Sequence, residues 1–134
     1  MRNNPVYLCT FDYRGTFSYS YKFSGGNTED WDAPHGDEMI YLLPGPKTDF
    51  GPPGHEYSQT DLRMVDTMVE LWTSFATNGI PASATLNGSV IWEPYSSLEN
   101  YLQIVNGPDI RLEAKKGFHT KRMQFWERFY SATL

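Results

Sequence analysis

The sequence has 134 residues, which is enough for a single domain with a hydrophobic core. Aromatic residues make up 16% of the chain, and this excludes a disordered protein because disordered segments are poor in them. The formal net charge of −5 argues against nucleic-acid binding, which requires a basic surface. No apolar run approaches the roughly 20 residues of a membrane-spanning helix. The first residues lack the apolar region of a signal peptide.

Residues 6–13 are predicted to form the first strand, since β-branched and aromatic side chains predominate there. Their nearly continuous apolar character is typical of a strand covered on both faces, as in a largely parallel sheet. Residues 16–23 alternate aromatic and polar side chains, which fits either a second strand or an aromatic loop over the surface. Cys9 is the only cysteine, so no internal disulfide forms. Its apolar neighbours indicate a packing residue rather than a nucleophile.

The most informative stretch surrounds His35, which stands between Pro34 and Gly36. Proline favours extended backbone and glycine permits a sharp turn, so we expect the imidazole on a tight loop. Asp37 and Glu38 suit the first turn of a short helix, where negative charge meets the positive end of the helix dipole. A histidine on a stiff loop is a candidate general base. The alternative from these residues alone is a surface histidine beside solvated acids.

The clearest element is a helix that follows Ser58 and ends at Asn78-Gly79, with Pro81 preventing its continuation. Ser58 is suited to the N-cap, and Asp61 stands three residues later in a capping-box position. Apolar residues recur every three or four positions and predict one stripe for core packing, formed by Val65, Met68, Val69, Trp72, Phe75 and Ala76.

The remaining segments are less regular. Four prolines and three glycines make residues 44–56 a long irregular connection, and residues 82–97 are predicted to be a loop anchored by Trp92 and Pro94. Residues 100–105 predict a short strand, and residues 118–130 a final helix. The apolar positions of that helix are Phe118, Phe125, Trp126, Phe129 and Tyr130. A mild basic cluster is interpreted as a solvated face rather than an anion site; it comprises Lys115, Lys116, Lys121 and Arg122.

Motifs for metals and cofactors are incomplete. His55-Glu56 begins like the H-E-x-x-H zinc motif, but Gln59 stands where the second histidine is required. The acids of residues 29–38 do not follow the EF-hand pattern, and His119 is interpreted as a polar residue near the start of the final helix. We therefore predict no metal and no cofactor. Asn87-Gly88-Ser89 matches the N-glycosylation pattern, which matters in a secreted protein.

Taken together, the segments resemble the C-terminal quarter of a type-B carboxylesterase, the family that includes cholinesterases and juvenile hormone esterases. Residues 71–81 (LWTSFATNGIP) resemble the family's Trp-Thr-x-Phe-Ala-x-x-Gly-x-Pro stretch, and residues 35–43 (HGDEMIYLL) its catalytic-histidine motif. The opening VYLCTFDYRG and the later VIWEPY, YLQI and MQFWERFY follow in the family's order. The sequence departs from the family pattern at Pro34 and Leu43, and Met123 stands where cholinesterase-like members have a disulfide cysteine.

The resemblance implies an α/β fold: the C-terminal part of an α/β-hydrolase domain, with a few late sheet strands, the histidine loop and two main helices over residues 1–134. It implies that His35 is the general base of a serine carboxylic-ester hydrolase with a small-molecule ester substrate. Residues 1–134 contain no G-x-S-x-G motif, so we expect the isolated segment to be inactive. Asp37 and Glu38 are not expected to supply the triad acid. The family also implies an extracellular location.

Two other interpretations remain open. The first is a non-catalytic cell-adhesion member of the same fold, as in neuroligins and neurotactin, which retains a histidine here without the serine. The second is a short non-catalytic protein descended from an esterase. A serine motif encoded upstream of Met1 favours the enzyme, and its loss favours adhesion.

Overall fold

The structure is a computed structural model that describes residues 4–27, 32–43, 45, 49–84, 92–106 and 109–131. Among these residues, no helix combines the length and the apolar character that crossing a bilayer requires. The described residues form three strands and four helices in the order β1 (Cys9–Asp12), α1 (Tyr19–Phe23), α2 (Asp37–Leu42), α3 (Gln59–Asn78), β2 (Tyr101–Val105), β3 (Arg111–Lys115) and α4 (Thr120–Ser131).

The sheet is mixed, with strand order β1-β2-β3. Strand β1 pairs in parallel with β2, with Cys9 opposite Leu102, and β2 pairs antiparallel with β3, with Ile104 opposite Leu112. A parallel pair needs a long crossover, and here the crossover contains α1, α2 and α3. Only residues 106–110 connect β2 to β3, which is too short for a crossover. The expectation of a largely parallel sheet was therefore wrong.

One face of the sheet holds the core. Leu102 and Ile104 alternate with half-buried neighbours along β2, as expected for a strand whose one face is covered. The strand β1 is half-buried and ends at an exposed Asp12, so the expectation of two covered faces is wrong for the described part of the chain. Buried side chains from α2, α3, the sheet and the connecting segments form one cluster of Tyr13, Phe17, Ile40, Tyr41, Met64, Met68, Leu71, Trp92, Leu102, Ile104 and Leu112.

The segment of alternating aromatics contains a helix, so both alternatives for residues 16–23 were wrong. Ser18 caps α1, and its hydroxyl oxygen accepts a hydrogen bond from the Ser20 amide at 3.0 Å. The rings of Tyr19 and Phe23 stack with centroids 5.8 Å apart. A spacing of four residues satisfies both a strand alternation and one helical turn, so the pattern did not distinguish them.

Helix α3 has the predicted ends. Ser58 and Asp61 form a reciprocal capping box, and Gly79 ends the helix with a φ of 72°. The predicted core stripe is only partly correct, because Val69 is 38% and Phe75 is 45% exposed. The face that packs into the core instead carries Asp61, Met64, Thr67, Met68 and Leu71.

The last two elements differ from expectation in opposite ways. Strand β3 was not predicted, since three of its five residues are charged and Leu112 is its one fully buried side chain. Helix α4 was predicted, but none of its residues is buried. Its large apolar side chains are all exposed: Met123, Phe125, Trp126, Phe129 and Tyr130.

Candidate functional site

The histidine turn, defined here as residues 33–36, leads directly into α2. Gly36 precedes the helix with a φ of 96°, a left-handed conformation that favours glycine. The amide of Asp37 donates to the Pro34 carbonyl at 3.2 Å and closes the turn. His35 therefore lies on a tight loop before a short helix, as the sequence predicted.

A cavity of about 390 Å³ is lined by both the histidine turn and β1. His35 is exposed and forms part of its wall, together with Asp12, the last residue of β1. The imidazole is thus exposed and lines a cavity that extends along the whole of β1. The other lining residues are Cys9, Thr10, Phe11, Ala33, Pro34, Glu38, Met68, Trp72 and Ile104.

The two acids after the turn have different surroundings. Both lie in the first turn of α2, which confirms the prediction of a short helix that starts with negative charge. Glu38 is half-buried and lines the cavity. Asp37 is fully buried, and its Oδ1 accepts a hydrogen bond from the Tyr19 amide at 2.8 Å. Burial raises the pKa of Asp37, and this outweighs the lowering by hydrogen bonds from Tyr19 and Ser18.

A second buried carboxylate anchors the chain segment that follows β1. Asp61 accepts hydrogen bonds from the Tyr13 hydroxyl at 2.9 Å, the Thr16 amide at 3.2 Å and the Thr16 hydroxyl at 2.5 Å. The Ser58 amide and hydroxyl donate to it at 2.8 and 2.7 Å. Burial alone would raise the pKa of Asp61, but these hydrogen bonds hold it below the usual range. The carboxylate therefore connects the start of α3 to the end of β1.

Cys9 has the environment of a packing residue. Burial, with a smaller contribution from the nearby Glu38 carboxylate, raises the pKa of its thiol to about 11. The thiolate form is therefore scarce at neutral pH, which agrees with the interpretation of Cys9 as a filler of the core.

The other histidines lie away from the cavity that His35 lines. His55 is exposed, and its Nδ1 lies 3.1 Å from the Pro52 carbonyl oxygen. His119 precedes α4, as predicted, and its carbonyl accepts hydrogen bonds from the Arg122 and Met123 amides at 2.8 and 3.0 Å. Within the described ranges, no group of three or more His, Cys, Asp or Glu side chains is placed to hold a metal ion. Asn87 lies outside the described residues.

The sequence did not reveal the long-range roles of Asp37 and Asp61. Asp61 was recognised only as the partner of Ser58 in the capping box, and Asp37 only as a helix-start acid. Their other partners lie 18 to 48 residues away along the chain. Such contacts have no local spacing, so no sequence pattern indicates them.

The chain is similar to known proteins over most of its length. The family model described as "Carboxylesterase family" matches residues 1–126. The chain is 30% identical over 127 residues to venom carboxylesterase-6 of Apis mellifera, a match that covers 95% of this chain and 21% of the relative. It is 30% identical over 125 residues to the fatty acyl-CoA hydrolase precursor, medium chain, of Anas platyrhynchos, covering 92% of this chain and 19% of the relative.

A third relative is glutactin of Drosophila melanogaster, which is 30% identical over 118 residues, or 87% of this chain and 11% of the relative. The chain spans about a fifth of the length of the first curated relatives it matches. The family match confirms the resemblance to carboxylesterases, and the family implies the α/β-hydrolase fold. The chain therefore belongs to the carboxylesterase family.

Proposed function

We propose that this chain is the C-terminal part of a serine carboxylic-ester hydrolase and that His35 is its general base. The observation that carries the proposal is the place of His35, which is exposed on a closed turn and lines a cavity together with all four residues of β1. In α/β-hydrolases the triad histidine comes last along the chain, after the serine and the acid. The family match over residues 1–126 supports an ester hydrolase.

In this proposal His35 transfers one proton in each half of the reaction. It takes the proton of the serine hydroxyl that attacks the ester carbonyl, and it donates this proton to the departing alcohol. In the second half it withdraws a proton from the water that attacks the acyl-enzyme and donates it to the departing serine oxygen, which restores the hydroxyl. The serine, the triad acid and the oxyanion hole would come from residues outside this sequence, which contains no G-x-S-x-G motif.

The edge of the sheet supports the proposal of a partial domain. In the described part of the chain, β1 has β2 on one side, and all four of its residues line the cavity that also holds His35. A second cavity of about 350 Å³ adjoins it at Cys9 and Trp72 and is lined by Tyr7, Phe75 and Trp92. An open strand edge beside apolar cavities is suited to pairing with a further strand of the sheet. We therefore propose that the rest of an esterase domain packs here.

The relatives suggest the setting of the complete protein. Two are named venom carboxylesterase-6 and juvenile hormone esterase, so we propose a small-molecule ester as substrate and an extracellular location. In that location Asn87 would be available for N-glycosylation.

A serine-directed phosphonate tests the proposal on the complete polypeptide that carries this segment. We expect one serine, encoded upstream of Met1 in a G-x-S-x-G motif, to be labelled. The substitution His35→Ala should lower kcat on the order of 10⁶-fold, because the serine loses its base. The variants His55→Ala and His119→Ala are matched controls that should retain activity, since neither residue lines the cavity.

Two results would contradict the proposed esterase function. An upstream sequence without the serine motif would favour the non-catalytic adhesion protein. Full esterase activity of the His35→Ala variant would show that another residue is the base.

A further inference from the structure

Asp37 is a buried carboxylate that the proposed proton transfers do not use. It lies two residues after His35, and its side chain has no exposed surface. Glu38, in the same helical turn, also places negative charge at the start of α2. A half-buried carboxylate such as Glu38 interacts favourably with the helix dipole without the full cost of desolvation. The dipole therefore does not explain why a second acid, Asp37, is fully buried.

The partner of Asp37 is a segment that other hydrogen bonds also hold in place. Oδ1 of Asp37 accepts the Tyr19 amide at 2.8 Å. The preceding residues are held by a hydrogen bond from the Ser18 amide to the Phe50 carbonyl at 2.7 Å and by one from the Tyr41 hydroxyl to the Phe17 carbonyl at 3.0 Å. The Tyr19 amide is thus a rigid reference point, and the carboxylate ties the first turn of α2 to it.

The same contact bears on the orientation of the histidine turn. The Asp37 amide closes the turn on the Pro34 carbonyl, so the backbone that carries His35 is fixed at residue 37 by both its amide and its side chain. The ring of Tyr19 also lies against Gly36, where an added Cβ would be 3.4 Å from the ring. Loss of the contact between the Asp37 carboxylate and the Tyr19 amide would therefore let the turn shift, and the imidazole would move relative to the cavity along β1.

We propose that Asp37 is a positioning residue for His35, whose carboxylate holds the histidine turn against the Tyr19 amide. This inference rests on the proposed function, because it assigns Asp37 to the same reaction. The residue does not touch the reacting atoms. It keeps the imidazole at the wall of the cavity along β1, where a serine hydroxyl would contact it.

The test compares two variants in the complete polypeptide. Asp37→Ala removes the tie, and we expect kcat to fall about 10²-fold with KM nearly unchanged, since a displacement of about 1 Å has that effect. Asp37→Asn retains an oxygen that accepts the Tyr19 amide, so this variant should recover most of kcat. Leu71→Ala is the control for general destabilisation, because Leu71 is a buried core residue that does not line the cavity beside His35.

A second measurement does not depend on activity. In the complete polypeptide, Asp37→Ala should speed hydrogen exchange at the amide of residue 37, which closes the turn, while Leu71→Ala should not do so selectively. Unchanged exchange there would overturn the inference. An unchanged kcat in Asp37→Ala, no recovery in Asp37→Asn, or an equal loss of kcat in Leu71→Ala would also overturn it. An inactive wild-type polypeptide would instead contradict the proposed function, which separates the two failures.

Discussion

At the scale of single residues, two buried carboxylates connect segments that lie far apart in the sequence. Asp61 accepts hydrogen bonds from three residues, and Asp37 accepts one from the start of α1. The two differ in the direction of their pKa shifts. Hydrogen bonds to Asp61 exceed the effect of burial and lower its pKa, whereas burial dominates at Asp37 and raises its pKa. Ionisation of Asp61 therefore stabilises the fold, whereas ionisation of Asp37 costs stability.

We expect Asp61→Ala to lower the free energy of unfolding by about 3 kcal/mol, because Tyr13, Thr16 and Ser58 lose a charged acceptor. Since the folded-state pKa is lowered, the stabilisation is present above the ordinary pKa of 3.8 and is lost as pH falls below it. Urea unfolding of the complete polypeptide that carries this segment, at pH 7 and pH 3, measures both effects. The exposed Asp66→Ala is the control, and an equal loss there would contradict the prediction.

Gly15 lies against the same buried cluster. An added Cβ would overlap Asp61 Oδ1 and Tyr41 Oη, so Gly15→Ala should lower the free energy of unfolding by about 1–3 kcal/mol. Gly45→Ala is the matched control, because the nearest atom to its added Cβ is the Leu43 carbonyl oxygen at 3.9 Å. Thermal unfolding of the two variants measures the difference, and equal melting temperatures would be contrary to this prediction.

At the scale of elements, helix ends were predictable and packing faces were not. Ser58, Asp61 and Gly79 act within a few residues along the chain, so their spacing in the sequence predicted the ends of α3 correctly. Which face of α3 is buried depends on the other segments that pack against the helix. The sequence placed Phe75 in the core stripe, but it lies at the wall of an open cavity, and Met64 and Leu71 are buried instead.

The capping box of α3 provides a test at this scale. Ser58→Ala removes the hydroxyl that accepts the Asp61 amide at 3.0 Å and should lower the free energy of unfolding by about 1 kcal/mol. Circular dichroism should also show that the first turn of the helix frays. Gln59→Ala, at the exposed first position of the helix, should have little effect. A comparable loss in the control would refute a specific role for the cap.

At the scale of the whole molecule, the described residues leave much apolar surface uncovered. All the large apolar side chains of α4 are exposed, and β1 borders two cavities that share Cys9 and Trp72. Open strand edges and large apolar patches favour association. These features agree with a chain that spans about a fifth of the length of its relatives.

We therefore expect the recombinant 134-residue chain to be poorly soluble and to associate. Size-exclusion chromatography and thermal unfolding measure this directly. Phe129→Glu should raise the soluble fraction, because Phe129 is 57% exposed on α4. Ser131→Glu on the same helix adds a charge without removing an apolar side chain and is the control. A monomer with a sharp, cooperative unfolding transition would contradict the expectation.

The sequence by itself determined the family, the histidine turn before a short acidic helix, and the ends of α3. The family was indicated by a resemblance in motifs spread along the chain. The turn and the helix ends each depend on residues within a few positions of one another, so local backbone preferences and spacing are sufficient to specify them. Only the tertiary structure decided that the sheet is mixed and that Asp61 and Asp37 accept hydrogen bonds from residues distant in the sequence. It also decided that His35 lines a cavity together with β1. These features arise where segments far apart in the chain pack against one another. Such packing produces no periodic pattern of apolar residues that the sequence would reveal.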